Sequence, residues 1–410
     1  MTIIEESIRA VMPEAAVIKA LKGKEIKGKV VLVAIGKAAW NMANAARDIL
    51  GSKVRCGIVI TKYGHSRGPI EGCEIVEAGH PVPDENAVLG TTKVLQMVST
   101  LTAADHVVFL ISGGGSALFE KPLEGVSLED IMEITRQLLG CGVSIQEMNT
   151  IRKHLSAVKG GRFAQQCGGA GIYTVVLSDV IGDKLDTIAS GPAYPDSTTS
   201  ADAFAILKKY DIDIESHLAM AIAIETPKHL ENCETVITGN VTALCEAAAK
   251  CAASLGYSPQ ILSTSIDSEA QVMGRFLASL AREVKNNEQG PIAPHPPCAV
   301  IAGGETIVKL TGTGKGGRNQ EIALLAALGI EGLEDVVIFS LGSDGTDGPT
   351  DAAGGIVDGK TTERMRFGSI VPEESLANND SYHALKTSED LILTGPTGTN
   401  VNDLMVILCK

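Results

Sequence analysis

The feature that most limits how this chain can fold is a repeated unit: a short apolar, β-branched run, a glycine-rich turn, then a helical stretch. VVLVAI (30–35) leads into Gly36-Lys37 and AAWNMANAARDIL. HVVFLI (106–111) leads into SGGGSAL, and IYTVVL (172–177) into SDVIGD. ETVITGN (234–240) runs into an alanine-rich helix, and CAVIAGGET (298–306) and VVIFSLGSDGTDG (336–348) repeat the theme. Strands that are apolar along their whole length and alternate with helices belong to a mostly parallel sheet covered on both faces. That is the α/β doubly wound class.

A length of 410 residues suits two or three domains. The stretch 210–233 carries no strong strand, and the rhythm restarts after it. A boundary is therefore expected near residue 232, giving domains 1–232 and 233–410. NNEQGPIAPHPP (286–297) reads as a surface loop. The last strand, DLMVILCK, fits either sheet. MTIIEESIRAVMPEAAVIKAL reads as one amphipathic helix, and its early acids are unlike the basic start of a signal peptide.

Composition removes several function classes. A formal net charge of −14 disfavours a nucleic-acid surface, which needs clustered Lys and Arg. The 9 cysteines include no C-x-x-C pair, so neither a disulfide framework nor a zinc site is expected. No apolar run reaches the length that spans a membrane. The expectation is a cytoplasmic protein without a membrane partner, whose oligomeric state is left open, a homodimer among the options.

Ligands of open α/β sheets sit at the carboxyl ends of the strands, where the glycine turns of this chain lie. Ser112-Gly113-Gly114-Gly115-Ser116 is the strongest of them. Its glycines let backbone N–H groups converge on a phosphate, although alone it reads equally as a tight turn. Asn240 and Gly303-Gly304-Glu305-Thr306, at two further strand ends, complete the nucleotide-binding candidates.

Two motif matches are weaker. GGIVDGKT (354–361) fits the P-loop pattern letter for letter, but no strand directly precedes it and Ile356-Val357 reads as a strand within it. GTGKGG (312–317) fits the dinucleotide pattern G-x-G-x-x-G after the possible strand TIVKL. Lys315 and Arg318, in and beside that turn, suit a phosphate or carboxylate better than a nicotinamide. An oxidoreductase is the second reading, and a non-enzymatic ligand-binding protein the third.

Charged side chains gather at the same strand ends. Lys37 follows the first strand directly, at a helix start where a cation is disfavoured unless an anion binds. Arg318 sits in GGRNQE. Arg152, Lys153 and Lys159 fall on IRKHLSAVKGG, read as one helix with a glycine stop, with Lys159 an exposed charge on the Arg152 face. Arg152 and Lys153 are substrate-binding candidates. Asp179, Asp183, Glu305, Asp344, Asp347 and Asp351 supply hard oxygens of the kind Mg²⁺ takes. Cations, Mg²⁺-type acids and glycine cradles together are the parts of phosphoryl transfer.

The ordered set GKAA (36–39), GHPVPD (79–84), SGGGSAL, IRKHLSAVKGG, SDVIGD, SGP (190–192), GGET, GGRNQE, SDGTDGPTDAAG and TGPTGTNVNDL resembles the glycerate 2-kinases with a C-terminal MOFRL domain. The resemblance runs from residue 36 almost to the end. It implies a Rossmann-like N-terminal domain, a smaller α/β C-terminal domain, and an active site in the cleft between them. It implies ATP and Mg²⁺ as cosubstrates, glycerate as acceptor and 2-phosphoglycerate as product. It places Lys37 and Arg318 at the centre of catalysis, both also in reach of the substrate. Asp179 or Asp183 is left as the proton acceptor, with Asp183, Asp344 and Asp347 as metal candidates. Relatives of this kind have also been labelled hydroxypyruvate reductases, the function an NAD(P)H-dependent reading would give.

Overall fold

In a computed structural model, residues 1–26, 28–286 and 294–410 are described. Most of the expected surface loop at 286–297 lies outside them. The chain divides into two units, one of residues 13–238 and one of residues 1–12 with 239–410.

The first unit is built on β1 (Val30–Ile35), β2 (Val54–Lys62), β3 (Cys73–Ala78), β4 (His106–Ile111), β5 (Gly171–Leu177) and β6 (Cys233–Gly239), in the order β3-β2-β1-β4-β5-β6. The pairings of β1 with β2 and β4, of β2 with β3 and of β4 with β5 are parallel. This is the strand order of the dinucleotide-binding doubly wound fold, whose direction of winding reverses between β1 and β4. Every residue of β1 is buried, as a strand covered on both faces requires. Val33, Phe109 and Phe163 belong to one core cluster beneath the strand ends. A second cluster joins the helices Leu128–Gly140, Ile145–Leu155, Ser200–Lys209 and Ser216–Ile222 beside the sheet.

The second unit is built on β7 (Ser258–Ile266), β8 (Cys298–Gly304), β9 (Val336–Gly342), β10 (Gly354–Asp358), β11 (Leu391–Ile392) and β12 (Asp403–Cys409), in the order β11-β10-β9-β12-β8-β7. Only β7 and β8 run parallel; β12 is antiparallel to both β8 and β9, and β10 is antiparallel to β9 and β11. The sheet is therefore mixed, where the strand–turn–helix rhythm alone pointed to parallel pairing. The last strand, which the sequence left between two sheets, lies in the middle of this one.

Two boundaries differ from the sequence reading. β6 completes the first sheet, and the division falls at 238/239, one residue before that strand ends and later than the expected boundary near 232. The N-terminal segment forms two helices, Thr2–Ala10 and Pro13–Leu21. Pro13 opens the second, where its missing N–H and fixed φ are tolerated. Thr2–Ala10 packs on the helix Val241–Ser254 of the second unit, and Pro13–Leu21 on Ala39–Leu50 of the first.

All nine cysteines are free. Among the described residues no helix is long and apolar enough to cross a membrane.

Candidate active site

At the winding reversal of the first unit, the turns after β1 and β4 are stitched together. Lys37 N donates to Gly113 O at 2.8 Å, Ala38 N to Ser112 Oγ at 3.0 Å, and Ser112 N to Ile35 O at 3.0 Å. Gly36 has φ +113°, and a methyl group on it would lie 2.3 Å from Ser112 Oγ, so only glycine allows this approach. Ser112 is thus a buried tie between the two turns. The amides of Gly113 and Gly114 make no hydrogen bond among the described residues. Nor has the half-buried Lys37 ammonium a hydrogen-bond or ion-pair partner among them.

The end of β5 joins the same place. A methyl group on Gly113 would lie 2.3 Å from Asp179 Oδ2, so that carboxylate rests on the glycine loop. Asp183 follows in the same loop with φ 52°. Ala189, just before SGP, and Ser190, its first residue, take φ 49° and 59°, and Ala189 Cβ abuts Gly115. Ser190 Oγ is 3.3 Å from Ser116 Oγ. Strained non-glycine backbone concentrates where a site over-determines it.

Beneath the loop the three cations of IRKHLSAVKGG separate. The helix ends at Leu155, because Leu123 N donates to Leu155 O and Ala157 N to Lys121 O. Lys159 is therefore neither on that helix nor exposed, as the sequence reading had it. It is fully buried, 3.0 Å from Glu120, and donates to Ser116 O at 2.8 Å and Phe119 O at 3.1 Å. Burial pulls its pKa down to about 8 against the opposing charge of Glu120. Lys153 is buried in an ion pair with Asp196 at 3.1 Å, an internal strut where a substrate ligand was expected. Arg152 shares that carbonyl with Lys159: its Nη2 reaches Ser116 O at 3.4 Å, while its buried Nε has no hydrogen-bond partner among the described residues.

Sequence reasoning gave no role to His80, at the end of β3. A methyl group on Gly114 would meet its imidazole at 2.8 Å and Lys37 Cγ at 3.4 Å. Burial, then the charges of Lys37, Lys62 and His65, lower its pKa to about 4.

In the second unit Arg318 opens the helix Arg318–Gly329. Its Nε and Nη2 donate to the two oxygens of Asp403 at 2.7 and 2.9 Å, and Nη1 to Glu305 at 3.1 Å. Burial works against the guanidinium charge, but Asp403 and Glu305 outweigh it and raise the pKa. Asp403, at the start of β12, is wholly buried, and its own pKa is raised by that burial despite the arginine.

Asp347 caps the same helix. Its carboxylate accepts from Asn319 N at 3.2 Å, Gln320 N at 2.8 Å and Gln320 Nε2 at 3.1 Å. Gly317 makes room, since a methyl group there would strike the carboxylate at 2.3 Å. Burial raises the Asp347 pKa to about 6 in spite of these bonds. Oxygens so engaged make Asp347 a helix cap, at a position where a metal ligand was expected. Asp344 accepts from Thr346 N at 3.1 Å. Among the described residues no three His, Cys, Asp or Glu side chains form a metal-holding group.

The other second-unit candidates serve packing as well. Asn240 caps the helix Val241–Ser254 by accepting from Ala243 N at 2.8 Å. Methyl groups on Gly303 and Gly304 would strike Cys245 Sγ at 2.6 Å and Ile266 O at 2.1 Å. Thr306 Oγ1 is buried without a hydrogen-bond partner and lines a groove of about 650 Å³ with the 312–317 loop, Arg318 and Pro349.

Both motif matches lose their context. Gly354–Asp358 is β10, paired with β9, so GGIVDGKT begins as a strand and not as a loop. The 312–317 loop follows no regular strand. Its first four amides are engaged: Gly312 N donates to Asn379 Oδ1, Thr313 N to Asn378 Oδ1, Gly314 N to Asn378 O and Lys315 N to Asp380 Oδ1.

Residues 1–223 match a family described as "Domain of unknown function (DUF4147)", and residues 298–403 match the MOFRL family. D-glycerate 2-kinase of Thermotoga maritima is 55% identical over 98% of this chain and 96% of its own. A protein of Agrobacterium vitis with a provisional hydroxypyruvate reductase name is 40% identical over 99% of this chain and 93% of its own. A crystal structure of glycerate kinase from Thermotoga maritima superposes with a TM-score of 0.96 at 54% identity, covering 100% of this chain and 98% of that one.

Proposed function

Because the chain belongs to the glycerate 2-kinase family, we propose that it transfers the γ-phosphoryl group of ATP to the C2 hydroxyl of glycerate, in the cytoplasm, giving 2-phosphoglycerate and ADP. The observation that supports this reading is the pair of amides at Gly113 and Gly114 beside the Lys37 ammonium, all without a partner among the described residues. Convergent amides and one free cation at a strand-order reversal suit phosphate oxygens.

In this reading the amides hold phosphate oxygens while Lys37 and Arg318 neutralise charge on the transferring phosphoryl group and the glycerate carboxylate. Arg152, with its unsatisfied Nε, adds a donor toward the loop. Asp179, against Gly113, either accepts the hydroxyl proton or helps hold Mg²⁺ with Asp183; one or two carboxylates suffice when substrate phosphates complete the shell. Mg²⁺, when bound, supplies charge neutralisation of the phosphates. Asp347, already saturated, is left out. The engaged amides of Gly312, Thr313, Gly314 and Lys315 are what weigh against a dinucleotide and hence a reductase.

Purified protein with glycerate, ATP and Mg²⁺, coupled to enolase without a mutase, should give signal directly. Signal only after adding mutase would mean phosphorylation at C3. NADH oxidation with hydroxypyruvate and no kinase signal would overturn the reading.

A further inference from the structure

The carboxyl edge of the first sheet holds one polar side chain that the reading above leaves without work. His80 follows β3, and its imidazole lies against the peptide of Gly114, with Cδ2 and Nε2 2.8 and 3.0 Å from where a methyl group on that glycine would be. Lys37 Cγ reaches the same point at 3.4 Å. Neither ring nitrogen has a hydrogen-bond partner among the described residues. A half-buried imidazole without a partner, beside an ammonium without a partner, over a loop with two unengaged amides, makes a single donor surface.

We propose that His80 is a further catalytic residue, whose Nε2–H donates a hydrogen bond to the phosphoryl oxygens held by the Gly113–Gly114 amides and Lys37. The proposal rests on the phosphoryl-transfer reading and deepens it. The groups that face the ring are cationic or ionisable to cations: Lys37 after β1, Lys62 at the end of β2 and His65 beyond it. Partial burial, and after it these charges, keep the imidazole neutral near neutral pH, with a pKa of about 4. A neutral ring can still donate from one nitrogen, and it does so without adding a third positive charge to the cluster. Two residues fix its surroundings. The missing Cβ of Gly114 admits the ring, and His65 Nδ1 lies 3.0 Å from Lys37 O, tying the turn after β2 to the turn after β1.

The test uses the full-length enzyme with two substitutions. His80→Leu keeps bulk and removes both nitrogens, and His80→Gln carries an amide to the Nε2 position. His80→Leu should lower kcat about a hundredfold, the usual loss for one preorganised donor, with the KM for glycerate changed less than about threefold. His80→Gln should stay within about tenfold of wild type. A leucine variant that keeps more than about a third of kcat, or a glutamine variant as slow as the leucine one, overturns the proposal. ¹⁵N NMR of wild type, titrated with ATP in the absence of glycerate, gives a readout that needs no variant. The expected result is a neutral ring near neutral pH, protonated on Nε2, whose Nε2 resonance moves on ATP addition. An unmoved resonance or an imidazolium overturns the role. If wild type turns over no glycerate, the functional reading falls, while the ATP titration still decides for or against His80.

Discussion

Arg318 and Asp403, 85 residues apart in sequence, meet as a two-pronged ion pair with both bonds below 3 Å. The carboxylate is wholly buried, whereas Glu305, the third acceptor, is 49% exposed and can give way to a ligand. Asp403 thus fixes one edge of the guanidinium while the other stays available. Arg318→Lys should fail substantially, because a point charge cannot replace a planar fork that grips two oxygens. Arg318→Ala should cost on the order of 10²–10³ in kcat. Asp403→Asn should lower kcat with Arg318 intact. Wild-type kcat for Arg318→Lys in a folded variant would remove Arg318 from catalysis.

Lys37 supports no core, and its ammonium makes no hydrogen bond or ion pair among the described residues, so Lys37→Ala should melt like wild type. Its loss should appear in kcat and not only in KM, since the charge it neutralises grows during transfer. Steady-state kinetics with both substrates varied would check this. Retention of more than about a tenth of kcat, a loss under ~1.4 kcal/mol, would mean that Lys37 is not a catalytic group.

Lys360→Ala should leave kcat and the ATP KM nearly unchanged. Lys360 is exposed, and its backbone N, not its side chain, is engaged, donating to Asp358 Oδ1 at 2.8 Å. Surface substitutions of this kind usually fall within about ±0.5 kcal/mol. A thousandfold loss would revive GGIVDGKT as a phosphate loop.

The first sheet was legible because β1 and β4 are unbroken apolar runs stopped by glycine, a pattern that local sequence alone produces. The direction of β12 was not, since an apolar run carries no signal for parallel or antiparallel pairing. Lys37 and Arg318 stood out by their place at glycine turns. Asp403, the partner of Arg318, did not, because pairing across 85 residues is decided by the sheet. Lys159 was misread for a similar reason: its helix ends at Leu155 through bonds to residues 121–123, which helical spacing cannot reveal. His80 carried no signal, because a single histidine in a turn has no spacing partner in the sequence.

Asp347 should make stability depend on pH in a recognisable direction. Its pKa is raised from 3.8 to about 6 by burial, so between those values the folded state binds more protons than the unfolded one. Stability then falls as pH rises from about 4 to about 6, by up to about 3 kcal/mol for a shift of this size. Asp347→Asn, which keeps an acceptor oxygen for the helix amides, should remove that slope. Thermal melts of both proteins across this window check it. An equal slope in the two proteins, or a wild type that gains stability with pH relative to the variant, would place the titration elsewhere.

Lys159 and Glu120 form an ion pair in which both side chains are fully buried, directly under the short helix that carries Gly115 and Ser116. The lysine ties together the carbonyls of Ser116 and Phe119, and Ser156 Oγ donates to Glu120 Oε1 at 2.6 Å. Phe119 packs on Phe109 and Phe163 at centroid distances of 5.8 and 5.3 Å, so little room exists for water to replace a lost partner. Removing one member of such a pair leaves an uncompensated charge and typically costs about 3–5 kcal/mol. Lys159→Met should therefore lower stability sharply. The double variant Lys159→Met with Glu120→Gln, which leaves no charge behind, should recover much of the loss. Activity should separate from stability: the double variant no longer ties Ser116 O and Phe119 O, so its kcat should remain below wild type after the melting temperature has recovered. Urea unfolding and steady-state kinetics on the same three proteins decide the matter. A double variant as unstable as the single would mean that the carbonyl tie, and not the charge pair, is what the lysine contributes to folding.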